Sequence, residues 1–110
     1  MEKKKLNIVP QMRKGILEYC ILLILSKRDA YASEIISELK ESKMIVVEGT
    51  LYPLLTRLKN GDYLTYRWEE SLQGPPRKYY TLSEAGREFL TELGTAWDEL
   101  SNAVEKLKNL

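Results

Sequence analysis

Leu90, Leu93, Trp97, Leu100, Val104 and Leu107 step through the last part of the chain at intervals of three, four, three, four and three. That spacing makes the a/d seam of a coiled coil, sustained for about two and a half heptads. A helix from Glu84 to Lys108 that carried the seam would be roughly 37 Å long, at about 1.5 Å per residue. The whole chain has 110 residues, which suits one domain with a small core. A helix of that length outreaches such a body, so its distal half has nothing intramolecular to pack on. Homodimerisation through the seam is the expectation.

A second stretch makes the same demand. Gln11 to Lys27 reads as a helix, and eight of the ten residues from Ile16 to Leu25 are aliphatic or cysteine. That is too many for one stripe. A helix apolar nearly all round is buried on more than one side, and in a small chain the second side is most easily covered by another subunit. Residues 1–10 are expected to be a flexible extension, with Pro10 as the boundary before the helix.

Composition excludes several classes of function. The chain has no histidine, which removes the commonest general base and the commonest transition-metal ligand. A Cys/His zinc site and any histidine-based triad are ruled out. No cofactor is expected. Cys20 is the sole cysteine and sits in an apolar run, so it reads as a small buried residue. Carboxylates are plentiful, but none falls in a paired, buried-looking setting, and an enzyme is not expected. No apolar run reaches the roughly 18 residues of a membrane span, and no signal sequence is recognisable. A cytoplasmic protein is expected. Net charge is only +1, but residues 1–28 carry seven basic against two acidic residues, and residues 83–110 three against six. A basic front and an acidic back suggest that one end faces a polyanion.

Between the terminal helices the order of elements is informative. Tyr31, Ile35 and Leu39 recur at helical spacing, giving a helix from about Ala32 to Ser42. Met44 to Val47 reads as extended. Glu48 to Lys59 then forms a helix with Leu51, Leu55 and Leu58 on its buried stripe, and Thr50, Tyr52, Pro53, Thr56 and Arg57 opposite. Gly61-Asp62 is expected to end it through the glycine. Two strands follow, Tyr63–Glu69 and Arg77–Leu82, around a tip at Glu70 to Pro76. Leu64, Tyr66 and Trp68 share one face, and Ser83 is placed to cap the last helix. Helix, helix, extended piece, helix, hairpin, long helix is the layout of a winged helix-turn-helix. The predicted fold class is therefore mainly α (α+β). Residues 11–82 form the winged helix-turn-helix and 83–110 the C-terminal dimerisation helix.

Specific segments carry a family resemblance. Met12-Arg13-Lys14-Gly15 with Leu17-Glu18, Tyr31-x-x-Glu34-Ile35-Ile36, Glu48-Gly49-Thr50-Leu51-Tyr52-Pro53 and Gly74-Pro75-Pro76-Arg77-Lys78-Tyr79-Tyr80 resemble the PadR family of bacterial transcriptional regulators. The likeness covers about residues 12 to 107, and the single long last helix is similar to the short PadR subfamily. Two positions depart from the pattern. Val47 stands where the family usually has a Ser or Asn cap, and Ala32 where it often has Gly.

The resemblance implies a homodimeric, ligand-responsive repressor acting on a pseudo-palindromic double-stranded DNA operator. Thr50, Tyr52, Pro53, Thr56 and Arg57 would face DNA, Arg77 and Lys78 would lie on the wing, and Arg13 and Lys14 would add phosphate contacts, with Lys3 to Lys5 as a basic arm. For Arg57 a surface salt bridge is the alternative. For Arg77 and Lys78 it is a charged hairpin face. Trp97, with Met12, Tyr19 and Leu23, would line a pore for a small aromatic or drug-like effector, or simply pack the dimer interface. A winged helix that docks proteins and does not read DNA is the competing class.

Overall fold

A computed structural model describes the backbone of residues 2–110 and the side chains of residues 9–110. Helix α1 (Glu2–Lys27) leads into a two-residue strand β1 (Ala30–Tyr31) and helix α2 (Ala32–Glu41). Helix α3 (Glu48–Asn60) is followed by strands β2 (Leu64–Ser71) and β3 (Gly74–Leu82), and helix α4 (Glu84–Lys108) ends the chain. This is a winged helix-turn-helix with a long C-terminal helix.

The core forms where the leucine stripes converge. Leu17, Ile21, Leu22 and Leu25 of α1 meet Ile35 and Leu39 of α2 and Leu51, Leu55 and Leu58 of α3, closed below by Leu64, Tyr80 and Leu82 of the sheet. Leu51, Leu55 and Leu58 of the α3 stripe are buried, while Leu54, expected to widen it, is half-buried against the core. The three strands run antiparallel in the order β1-β3-β2. Leu64 faces Leu82, Tyr66 faces Tyr80 and Trp68 faces Lys78, so the expected strand parity holds. Trp68 is nonetheless 60% exposed, because the hairpin runs out beyond the core.

Several boundaries differ from expectation. The first helix begins at Glu2, not after Pro10, and carries Pro10 inside it. A proline removes one main-chain donor, and the Lys, Leu, Gln, Met and Arg residues around it favour helix on either side. The expected phosphate-contacting role of Lys3 to Lys5 lies outside the described side chains. Both strands reach further towards the tip than the sequence suggests, so the wing turns at Leu72-Gln73. The register slips between Glu69 and Ser71. There Pro75 and Pro76 lie in β3 without N–H groups to donate, and an irregularity is where a strand tolerates them.

The end of α3 also differs. Gly61 has an ordinary φ of −83°, and Asp62 takes the left-handed one at 66°. Asp62 N–H donates to Lys59 and Tyr63 N–H to Leu58, a Schellman-type stop built on a non-glycine residue. Gly61 is small for another reason: a Cβ there would lie 2.9 Å from the Tyr63 ring.

The start of α4 is tied to that same corner. Ser83 Oγ accepts the Gly86 N–H at 3.0 Å and donates to the Asp62 carbonyl at 2.7 Å, which makes it the expected N-cap. Ser83 N–H donates to Tyr63 O, and Phe89 stacks on Tyr63 with centroids 4.3 Å apart. Leu90 and Leu93 pack against the core, while Trp97, Leu100, Val104 and Leu107 are exposed. The molecule measures 56 × 35 × 23 Å with a radius of gyration of 15.9 Å, against roughly 13 Å for a compact chain of this length. The projecting helices account for the excess.

Candidate nucleic-acid interface

Helix α3 stands on its leucines and turns its polar side outward. Tyr52, Pro53, Thr56 and Arg57 are exposed and Thr50 half-buried. Its start has no side-chain cap, because Val47 occupies the N-cap position and has no acceptor to offer the free N–H groups. Val47 and Ile45 are instead exposed apolar residues beside that end.

Two hollows flank α3. On the wing side, Tyr52 and Thr56 face Tyr31, Ala32 and Ser33 at the head of α2, and Trp68, Pro76, Arg77, Lys78 and Tyr80 on the hairpin. The space between them is about 440 Å³. Its walls are aromatic and its fixed charges positive. Lys78 Nζ lies 4.6 Å from the centroid of Tyr66 and 5.4 Å from that of Trp68, and Arg77 lies 5.5 Å over Tyr31. Stacking on π-faces holds cations without neutralising them. Among the described residues, neither Arg77 nor Lys78 forms a salt bridge.

On the α1 side, Arg13 and Lys14 border a hollow of similar size with Pro10, Leu17, Ile45, Val46, Val47 and Thr50. The fold therefore brings Arg13 and Lys14 to the start of α3, and Arg77 and Lys78 to its other flank. Arg57 is engaged differently. It forms an ion pair with Glu18 of α1, so the alternative raised from the sequence holds in the free chain.

A polar network at the wing root has no counterpart among the sequence expectations. Tyr31 was expected on the buried stripe of α2. It lies instead in β1 and caps α2, half-buried, with its N–H donating to Glu34 at 2.9 Å. Its hydroxyl donates to Glu69 at 2.7 Å. Arg67 bridges Glu69 and Asp29 at 3.1 and 3.3 Å and lies 4.4 Å over the Tyr79 ring. The hydrogen bond to Glu69 pushes the Tyr31 phenol above its ordinary pKa. Reciprocally, the Tyr31 hydroxyl and then Arg67 hold Glu69 below the usual carboxylate range. Tyr31 and Glu69, like Asp29 and Arg67, are 38 positions apart, and no local spacing announces those two pairs.

Comparison with known proteins settles the family. The sequence profile of the "Transcriptional regulator PadR-like family" matches residues 21–92. The chain belongs to the PadR-like family. A PadR-like transcription factor from Bacteroides fragilis is 62% identical, with 92% of this chain and 98% of that one covered and a TM-score of 0.78. A PadR-like regulator from Bacillus cereus is 38% identical over 88% and 95% of the two chains, with a TM-score of 0.77. A PadR family regulator from Eggerthella lenta is 30% identical over 96% and 89%, with a TM-score of 0.83. This PadR-like chain is thus a DNA-binding transcriptional regulator by family and not an enzyme. Among the described residues no helix is long and apolar enough to cross a membrane, and no acidic or cysteine cluster has a metal-holding arrangement.

The residues expected to line an effector pore are spread along α1 and α4. Met12 and Leu23 are exposed, and Tyr19 is half-buried. The Tyr19 hydroxyl lies 3.5 Å from where a Cβ on Gly94 would sit, one turn before Trp97, which is 41% exposed.

Proposed function

We propose that the chain is a homodimeric repressor of the PadR type that reads a pseudo-palindromic operator with α3 and grips the flanking backbone with the wing. The observation that carries this reading is the cationic, aromatic-walled groove between α3 and β3, whose Arg77 and Lys78 have no carboxylate partner among the described residues. Unpaired cations beside an exposed helix suit phosphates, and the hydroxyls of Thr50, Tyr52 and Thr56 suit phosphate positioning. Residues 11–82 act as the reading unit. Residues 83–110 dimerise through the exposed Trp97, Leu100, Val104 and Leu107 together with Leu90 and Leu93, setting half-sites about one helical turn apart. A planar aromatic effector between the subunits, against Trp97, Met12, Tyr19 and Leu23, shifts the spacing of the two heads by binding one arrangement better than the other.

The test is selection of bound duplex from a random pool, followed by titration across salt. Replacing Arg77 and Lys78 with Gln is expected to reduce affinity on every sequence alike and to lower the salt slope by about one per lost phosphate contact. Unchanged binding would support a winged helix that docks proteins.

A further inference from the structure

The hairpin register sets Glu69 directly opposite Arg77. Opposite charges facing each other across an antiparallel pair ordinarily attract, with Cβ atoms about 5 Å apart. That pairing is absent among the described ion pairs. Glu69 Oε1 is taken by Arg67 at 3.1 Å. Glu69 Oε2 is taken by the Tyr31 hydroxyl at 2.7 Å. Arg67 is itself held by Asp29. Tyr31 is fixed on every side: it pairs with Tyr79 through β1, meets that ring edge-on at 4.7 Å, and donates its N–H to Glu34. Arg77 therefore rests over the Tyr31 ring, at the mouth of the groove shared with Tyr52 and Thr56, and its charge is left uncompensated.

We infer that Tyr31 is a positioning residue for Arg77: its hydroxyl occupies Glu69, and so keeps the wing guanidinium free to meet a DNA phosphate. The inference rests on the DNA-binding reading above. Without the hydroxyl, Glu69 has a free oxygen directly across the ladder from Arg77 and captures it, converting a phosphate contact into an internal ion pair. The network at the wing root thus protects a charge as well as bracing a hairpin.

Tyr31→Phe keeps the ring and removes only the donor. On the duplex recovered by the wild-type full-length protein, anisotropy titration of Tyr31→Phe should show affinity roughly three- to tenfold weaker and a salt slope lower by about one per Arg77 contact. Adding Glu69→Gln should restore affinity, because the captor is gone. A purely bracing role predicts the reverse, with the double variant weaker still. In an Arg77→Ala background, Tyr31→Phe should then change nothing. A loss that persists without Arg77, or that Glu69→Gln fails to rescue, overturns the inference. One readout needs no DNA. Phenylglyoxal modification of Arg77, followed by peptide mass spectrometry, should slow in Tyr31→Phe and recover in the double variant. An unchanged rate overturns the inference even where DNA binding is intact. Failure of the wild-type protein to select any duplex overturns the DNA-binding reading instead.

Discussion

Gly86 sits in the first turn of α4, and replacing it with alanine tests how that helix is anchored. An added Cβ would lie 2.1 Å from the Tyr63 carbonyl oxygen and 2.6 Å from Leu82 Cδ1. Ordinary contact begins near 3.4 Å, so the first gap is short by about 1.3 Å. The obstacle is backbone, and that carbonyl already accepts the Ser83 N–H. Relief requires moving α4 away from the corner, straining the Ser83 cap and the stacked Tyr63 and Phe89. Overpacking of this kind costs about 1–3 kcal/mol, and a weakened hydrogen bond costs about 1 more. Against this stands at most ~1 kcal/mol of helix propensity gained by losing a glycine. The net expectation is a destabilisation of roughly 2 kcal/mol, a sizeable share of a small domain's stability. In urea this corresponds to a midpoint lower by about 1 M for a slope of 1–3 kcal/mol per M. Wild type and variant must be compared at equal protein concentration, since self-association shifts the midpoint. Gly94, in the same helix, is the control. A Cβ there meets only the Tyr19 hydroxyl at 3.5 Å, so Gly94→Ala should be neutral or stabilising by up to ~1 kcal/mol. Equal effects at the two glycines, or a stable Gly86→Ala, would refute the packing argument.

Other outcomes follow from the same geometry. Ser83→Ala should cost about 0.5–2 kcal/mol in thermal unfolding, since Gly86 N–H loses its acceptor and the Asp62 carbonyl its donor. Glu18→Gln should barely alter stability, because the pair is surface-lying, yet it should strengthen binding to random duplex and steepen its salt dependence by freeing Arg57; unaltered affinity would refute this. Leu100→Glu with Val104→Glu should yield a monomer in sedimentation at micromolar concentration, with the winged-helix circular dichroism retained. The Glu69–Tyr31 bond should give a pH plateau in thermal midpoint. Glu69 has a lowered pKa, so its contribution is present above the ordinary carboxylate value and lost as pH falls through the lowered one. Tyr31 has a raised pKa, so its contribution is present below the ordinary phenol value and lost as pH rises through the raised one. Tyr31→Phe should flatten both edges.

What could be read from the chain was what repeats locally. Leu51, Leu55 and Leu58 declare the buried side of α3, and by difference its exposed side. Ser83 declares a helix start, and the strand parity of Leu64, Tyr66 and Trp68 holds in the register. What could not be read depends on partners remote in sequence. Tyr31 has the spacing of a core residue, but β1 pairs it with Tyr79. For Arg57 a salt bridge is readable as an alternative, but its partner is not, since only the packing of α1 brings Glu18 beside it. Gly61 looks like a left-handed stop, yet the constraint on it is the Tyr63 ring, and Asp62 takes the unusual backbone. Pro10 looks like a boundary because a proline forbids one hydrogen bond, which is less than ending a helix requires.

The two halves of α4 draw their order from different sources. The turns from Gly86 to Leu93 lean on the core of their own chain. Beyond Trp97 the helix has, among the described residues, only its own hydrogen bonds, an i,i+3 pair between Glu105 and Lys108, and an apolar stripe facing outward. Isolated helical segments of that length fray in water. Amide exchange along α4 should therefore work as a gauge of assembly: protection in the first turns should be independent of protein concentration, while protection from Leu100 to Leu107 should climb with it.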